Sequence, residues 1–175
     1  MAEFAFDDIE LYELDVLSPP PPLPPPPPNN LLVLDGESGP RGVQTVVARE
    51  AKKGALVYDL SSQDAAQSGK YGYMVTVSQL FEKNWHGLLS LPAFLVTDHE
   101  RMYTLSFWSK AQANPHPKIQ VVFQDEDDDY AYIDSSYSQL TSFWHQYTVD
   151  LAVPYRLRGH NIIANLMLGD YLGID

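Results

Sequence analysis

Apolar positions alternate with polar ones in short runs, and helical periodicity is weak along the whole chain. The first run is Glu3–Leu14. Phe4 and Phe6 are in one phase, Ile9 and Leu11 in the other, so a strand with a bulge near Asp7-Asp8 is expected. Further strands are expected at Asn30–Leu34, Val43–Arg49, Ala55–Asp59, Gly72–Gln79, Trp85–Leu91, Arg101–Ala111, Lys118–Gln124, Ala131–Asp134, His145–Leu151 and Asn161–Leu168, with one helical turn at Gln63–Gln67. Turn signals separate them: Asp35-Gly36, Lys53-Gly54, Ser68-Gly69, Asn114-Pro-His-Pro117 and Arg158-Gly159. Many short strands at near-regular spacing predict an all-β sandwich.

A proline tract interrupts this pattern. Nine prolines lie between Pro19 and Pro28, broken only by Leu23. Such a run has no amide donors and a fixed φ, so it favours polyproline II, reaching about 31 Å over ten residues. It reads as a linker, or as a ligand for an SH3- or WW-type domain. The strand before it cannot fold alone, so it must join the sheets made by later residues or those of another chain. The division is residues 3–14 as a strand, 15–29 as linker and 30–175 as the sandwich body.

Composition narrows the chemistry. There are 175 residues, 45% of them hydrophobic, enough for one domain with a real core. Without cysteine there is no disulfide, thiolate zinc site, iron–sulfur cluster or thiol nucleophile. Asp and Glu outnumber Lys and Arg 23 to 11, a net charge of −12, which argues against nucleic acid or an anionic membrane as partner. No apolar run reaches transmembrane length, and no signal peptide is expected from the N-terminal residues. Gly36-Glu-Ser-Gly39 is one residue short of a nucleophile elbow, and the five histidines lack zinc spacing. Asp125-Glu-Asp-Asp-Asp129 begins like an EF-hand loop, but Tyr130 and Ser136 stand where glycine and glutamate are needed. A solvated hairpin loop, a secondary ion site or a polar contact with ligand are its readings.

Aromatic and amide side chains carry the remaining signal. Sugars offer C–H faces to aromatic rings and hydroxyls to amides and carboxylates. Strand alternation leaves Trp108, Gln120, Gln124 and Asn165 off the core phase, and they are expected to share one sheet face. Tyr130 and Tyr132 follow on the same expected sheet.

An ordered set of short motifs spans nearly the whole chain: Asn30-Leu-Leu-Val-Leu-Asp-Gly-Glu37, Ser68-Gly-Lys-Tyr71, Trp85-His86, Arg101-Met-Tyr-Thr-Leu-Ser-Phe-Trp-Ser-Lys110, Trp144-His-Gln-Tyr147 and Leu168-Gly-Asp170. The set resembles carbohydrate-binding modules of the xylan- and glucan-binding jelly-roll group (families 4, 9, 16 and 22). One departure is the missing Phe before the first-loop glutamate. Such modules close with an aromatic residue, Asp-Asp, an aliphatic, any residue and Leu. Here that piece stands first, as Phe6-Asp7-Asp8-Ile9-Glu10-Leu11. The resemblance thus implies a β-sandwich jelly roll with the family's last strand placed first, as a circular permutant or one unit of a tandem array. That strand would dock in its own domain or swap into a neighbouring copy.

The resemblance also implies a non-catalytic module binding a β-linked glucan or xylan, in an extracellular or cell-wall setting. Its sugar-binding candidates are Trp108, Trp85, His86, Gln120, Gln124, Tyr130, Tyr132 and Asn165. It implies a structural calcium ion held by Asp8 and Glu37, with a backbone carbonyl near Lys70 and Asp35 as a further candidate. The rival readings are a structural or adhesive repeat that forms strand-swapped arrays, and a small jelly-roll glycoside hydrolase.

Overall fold

The computed structural model describes residues 1–14, 29–37, 39–97, 102–113 and 116–169. The proline tract, Arg101, and Asp170 to Asp175 lie outside them. The strands are β1 (Ala2–Leu14), β2 (Asn29–Leu34), β3 (Gln44–Val47), β4 (Ala55–Ser62), β5 (Gly72–Gln79), β6 (Gly87–Ser90), β7 (Phe94–Leu95), β8 (Met102–Gln112), β9 (Lys118–Asp125), β10 (Ala131–Gln139), β11 (His145–Ala152) and β12 (Asn161–Met167). The expected strand Trp85–Leu91 is a single 3-10 turn, Asn84–His86, followed by β6. The short β7 carries too little alternation to be seen in sequence; at residues 63–67 no helix is present, but Ala66 N–H donates to Gln63 O and closes one turn within the expected segment.

Two antiparallel sheets pack face to face as a β-sandwich jelly roll. The first runs β11-β8-β1-β5-β4, with β2 also paired to β1; the second runs β10-β9-β12-β6-β3, with β7 paired to β12. The N-terminal strand is central. One edge of β1 pairs with β8 along its length, the other with β5 through residues 2–6 and with β2 through residues 9–13. Both edges are therefore filled from its own chain. Glu13 lies opposite Asn29, so the two strands flanking the proline tract are ladder neighbours, and Asn29 belongs to β2.

The bulge falls where the apolar phase changes. Between Asp7, opposite Trp108, and Glu10, opposite Ser106, β1 contains one residue more than β8. Asp8 takes up the difference with φ of 46°, a left-handed conformation that Asp tolerates better than most residues. Phe4, Phe6, Ile9 and Leu11 consequently all face the core and are fully buried. They pack with Tyr73, Val75 and Val77 of β5 and Tyr103, Leu105 and Phe107 of β8. Across the interface lie Ile119, Val121 and Phe123 of β9 and Ile162, Ala164 and Leu166 of β12.

Candidate functional site

Strand register builds the outward face of the second sheet. Residues directly opposite in a ladder share a face, which gives three rows across the strands. The first is Tyr132, Gln124 and Ile163; the second Ser135, Val122, Asn165, Ser90 and Gln44; the third Tyr137, Gln120, Met167, Leu88 and Val46. A bulge between Tyr132 and Asp134 keeps Ser135 and Tyr137 in phase with β9.

The part of this face from Gln124 and Ile163 across Asn165 and Met167 to Ser90, Leu88, Gln44 and Val46 is the floor of an open groove of about 590 Å³, with Trp85 and Tyr130 in its lining. Trp85, Tyr130 and Tyr132 are exposed, whereas Asn165 and Ser90 of the floor are buried. Trp85 comes from the 3-10 turn before β6; its backbone N–H donates to Asn84 Oδ1 (2.9 Å), and its ring meets His86 edge-on at 4.3 Å. Tyr130 takes φ of 60° after Asp129 at 47°, so the chain turns sharply between β9 and β10 and brings Tyr130 beside Gln124.

The amides are held in two relays. In one, Asn165 Nδ2 donates to Gln124 Oε1 (2.8 Å), and Gln124 Nε2 to the Tyr130 carbonyl (2.8 Å). In the other, Asn84 Nδ2 donates to Gln120 Oε1 (2.7 Å), and Gln120 Nε2 to Ser135 Oγ (3.0 Å), which also contacts the Tyr132 hydroxyl (3.3 Å). Such fixed polar groups between exposed rings offer the two surfaces a sugar presents. Glu50 and Glu126 line the groove, and among the described residues no Lys, Arg or His does.

Two expected members stand elsewhere. Trp108 lies on β8, in the first sheet, opposite Asp7 and Gln146. Its alternation phase is outward as expected, but phase tells which face of a sheet a residue takes and not which of two sheets it joins. His86 is buried, with Nδ1 3.2 Å from Glu82 Oε2, so it supports Trp85 from beneath rather than facing a ligand. Alternation missed Asn84, which lies on a turn.

The expected calcium residues contact the loop of residues 67–71 beside the bulge, but among the described residues Asp8, Asp35 and Glu37 do not bring three ligand atoms within 4.8 Å of one another. Glu37 Oε1 accepts from Lys70 N–H and from Tyr71 N–H (2.8 Å), and Glu37 N–H donates to Asp35 Oδ1 (3.1 Å). Lys70 thus contributes its amide to Glu37 in this structure, where a carbonyl was expected. Ser68 Oγ donates to Asp8 Oδ2 (2.8 Å). The buried acid is the neighbouring Asp7. Its Oδ2 accepts from Gln67 N–H (2.7 Å) and Ser68 N–H (3.0 Å), while its buried Oδ1 has no partner. Burial pushes the Asp7 carboxyl above the usual range, against the hydrogen bonds from Ser68 and Gln67. Burial also raises the Tyr73 hydroxyl, with the Asp35 and Asp7 charges adding to it. Gly36 completes the corner. It has φ of 73°, and a Cβ there would lie 2.3 Å from the Tyr71 carbonyl oxygen. The orphaned Asp7 oxygen, beside the carboxylate of Asp8, is the kind of ligand a hard cation prefers.

Asp125, Asp127 and His160 form a separate group, with one ligand atom from each within 4.8 Å of the others. His160 Nδ1 lies 2.7 Å from Asp125 Oδ2. The backbone and side-chain amides of Asn161 hold the Asp127 carboxyl below the usual range. These bonds tie the β9–β10 loop to the start of β12, beside the groove.

The two-sheet architecture is that of a solved structure described as "CBM4 structure and function", a family 4 carbohydrate-binding module. The TM-score is 0.57 and the identity 18%, over 78% of this chain and 81% of that one. At this identity the likeness establishes the fold. No protein-family model matches the chain, and no curated protein does.

Proposed function

We propose that the chain is a non-catalytic carbohydrate-binding module that holds a β-linked glucan or xylan-type polysaccharide in the groove of the second sheet. The observation that carries this reading is the groove's construction. Exposed Trp85 and Tyr130 line a floor whose amides, Gln124 and Asn165, are fixed by hydrogen bonds, and exposed Tyr132 and the Gln120 relay continue the same sheet face beside it. Trp85 and Tyr130 stack on sugar faces, and Gln120, Gln124 and Asn165 meet hydroxyls. The fold shared with a family 4 module supports the assignment.

Further parts of the reading follow. The N-terminal strand takes the place of the family's closing strand and docks in its own domain. A structural calcium ion sits at the bulge, with Asp7 as its buried ligand and Asp8, Glu37 and Asp35 around it; it supplies charge compensation and no catalysis. The setting is extracellular or at a cell wall, where such a module would anchor a larger protein to its polysaccharide.

Isothermal calorimetry against mixed-linkage β-glucan, xylan and cello-oligosaccharides tests the assignment. At least one is expected to bind, with Trp85→Ala and Tyr130→Ala each weakening it about tenfold or more, the scale of losing a buried aromatic contact. No binding to any of them would favour a structural repeat. Reducing sugar released by the wild-type chain and abolished by Glu50→Gln or Glu126→Gln would establish a hydrolase instead.

A further inference from the structure

The paths of the two sheets end in β11 and β4, and in β10 and β3. β10 and β11 meet at one side of the sandwich, and β3 and β4 form the other. Among the described residues β4 pairs with β5 alone. Edge strands in proteins that stay single are kept short, charged or covered. β4 has 8 residues and presents apolar side chains on both faces. Val57 lies opposite Thr76, on the outer face, and is 61% exposed. Tyr58 lies opposite the fully buried Val75, so it stands in the core phase, between Leu56 and Leu60, which pack against the core. Tyr58 is nevertheless 58% exposed. A core-phase aromatic at an open edge lacks the neighbouring strand that would cover it.

The charge pattern selects that neighbour. Lys52 and Lys53 precede β4, and Asp59 and Asp64 lie toward its far end, all four exposed. An antiparallel partner reverses this order, so a second β4 sets its aspartates against these lysines and its lysines against these aspartates. A parallel partner would set like charges together. Register shifts between Ala55 and Leu56 and between Asp59 and Ser62 leave Leu56 to Asp59 as the regular stretch, with Val57-Tyr58 at its midpoint. A two-fold axis there brings each Tyr58 beside its counterpart as a cross-strand aromatic pair.

We propose that the free edge of β4 is a self-association surface, at which two copies of this chain pair β4 to β4, antiparallel, into one sheet continuous across a dimer. The contact is isologous and closes at two copies. No strand is exchanged, since β1 fills its place from its own chain. Residues opposite one another in a ladder share a face, so the second sheets of both copies lie on the same side of the joined sheet and their grooves open toward that side. Where the groove is a glycan site, as proposed above, both grooves meet one polysaccharide surface, and the second contact forms at high effective concentration.

Sedimentation velocity over about 1–300 µM tests the dimer without any sugar. A contact along one strand edge is smaller than a standard stable interface, so reversible dimerisation within that range is expected. Val57→Lys alters an exposed side chain and sets lysines across the axis; it is expected to weaken the dimer about tenfold or more. Asp59→Lys, which turns lysine toward lysine, is the second disrupting variant, and Thr148→Lys on the opposite edge is expected to change nothing. The chain has no cysteine, so Val57→Cys and Tyr58→Cys each supply a single thiol. Opposed Cα atoms about 4.5–5.5 Å apart are within disulfide reach, and mild oxidation is expected to trap a dimer from at least one of them and none from Thr148→Cys.

A chain monomeric throughout the range would overturn the proposal and leave the edge to an extended segment of another protein. A dimer that neither Val57→Lys nor Asp59→Lys weakens, or growth beyond two copies, would overturn it as well. None of these outcomes touches the glycan reading, which stands or falls on calorimetry.

Discussion

The bulge in β1 can be tested by removing a single residue. Deleting Asp8 removes the one residue by which β1 exceeds β8 between the Asp7–Trp108 and Glu10–Ser106 pairs. Phe4, Phe6, Ile9 and Leu11 then alternate without interruption, and the core face is preserved. The left-handed conformation at Asp8 disappears, a relief of about 1–2 kcal/mol, while Asp7 keeps its place opposite Trp108. Against this, the bond from Ser68 Oγ to Asp8 is lost. The freed hydroxyl belongs to an exposed residue and reaches water, so the loss is about 0.5–1.5 kcal/mol.

These terms nearly cancel, and stability in chelator is expected within about 2 kcal/mol of wild type. Deleting Ala5 has the opposite character. Phe4 leaves the core and Glu3 takes its place, which forfeits about 3–5 kcal/mol for the phenylalanine alone and buries a carboxylate besides. That is a large share of the roughly 5–15 kcal/mol a domain possesses. Urea unfolding followed by tryptophan fluorescence would separate the two. If deletion of Asp8 unfolds the protein as severely as deletion of Ala5, the bulge is not what sets the register.

Two further outcomes follow from the sites. Chelation is expected to lower the wild-type melting temperature by several degrees and to leave Asp7→Ala unmoved; a wild-type value indifferent to chelator would dismiss the cation at the bulge. Because, among the described residues, the groove is lined by Glu50 and Glu126 and by no cationic side chain, affinity for neutral oligosaccharides should change less than about twofold between low and high salt. Uronic-acid-rich chains should bind more weakly, most of all at low ionic strength, and tighter binding of such chains at low salt would contradict that account.

Much of the fold was legible because alternation is a local signal. The outward phases of β9 and β12 were readable residue by residue, and register then aligned Gln120, Gln124 and Asn165 on one face. The bulge at Asp7-Asp8 was equally plain, since only an extra residue reconciles Phe4 and Phe6 with Ile9 and Leu11. Trp108 marks the limit of such a signal: its phase was right, but its sheet is decided by pairing between β8 and β1, strands separated by most of the chain. The choice between Asp7 and Asp8 was illegible for a related reason. Two adjacent aspartates are equivalent in sequence, and only the backbone twist at the bulge buries one and leaves the other partly exposed.

The orphaned oxygens of Asp7 and Asn165 distinguish the two regions from ordinary surface. Each is an acceptor withdrawn from water in a protein that satisfies its neighbours. At Asp7 the proposed partner is a cation, because the oxygen belongs to a buried carboxyl beside the carboxylate of Asp8. At Asn165 the oxygen belongs to a neutral amide whose nitrogen is already committed to Gln124. Leucine at position 165 removes that oxygen and also the Nδ2 bond to Gln124 Oε1, a loss of about 0.5–1.5 kcal/mol that the partly exposed Gln124 recovers in part from water. The ligand-free stability of Asn165→Leu is therefore expected to stay within about 1 kcal/mol of wild type, while its sugar affinity falls if the amide relay shapes a glycan groove; unchanged affinity would count against that role.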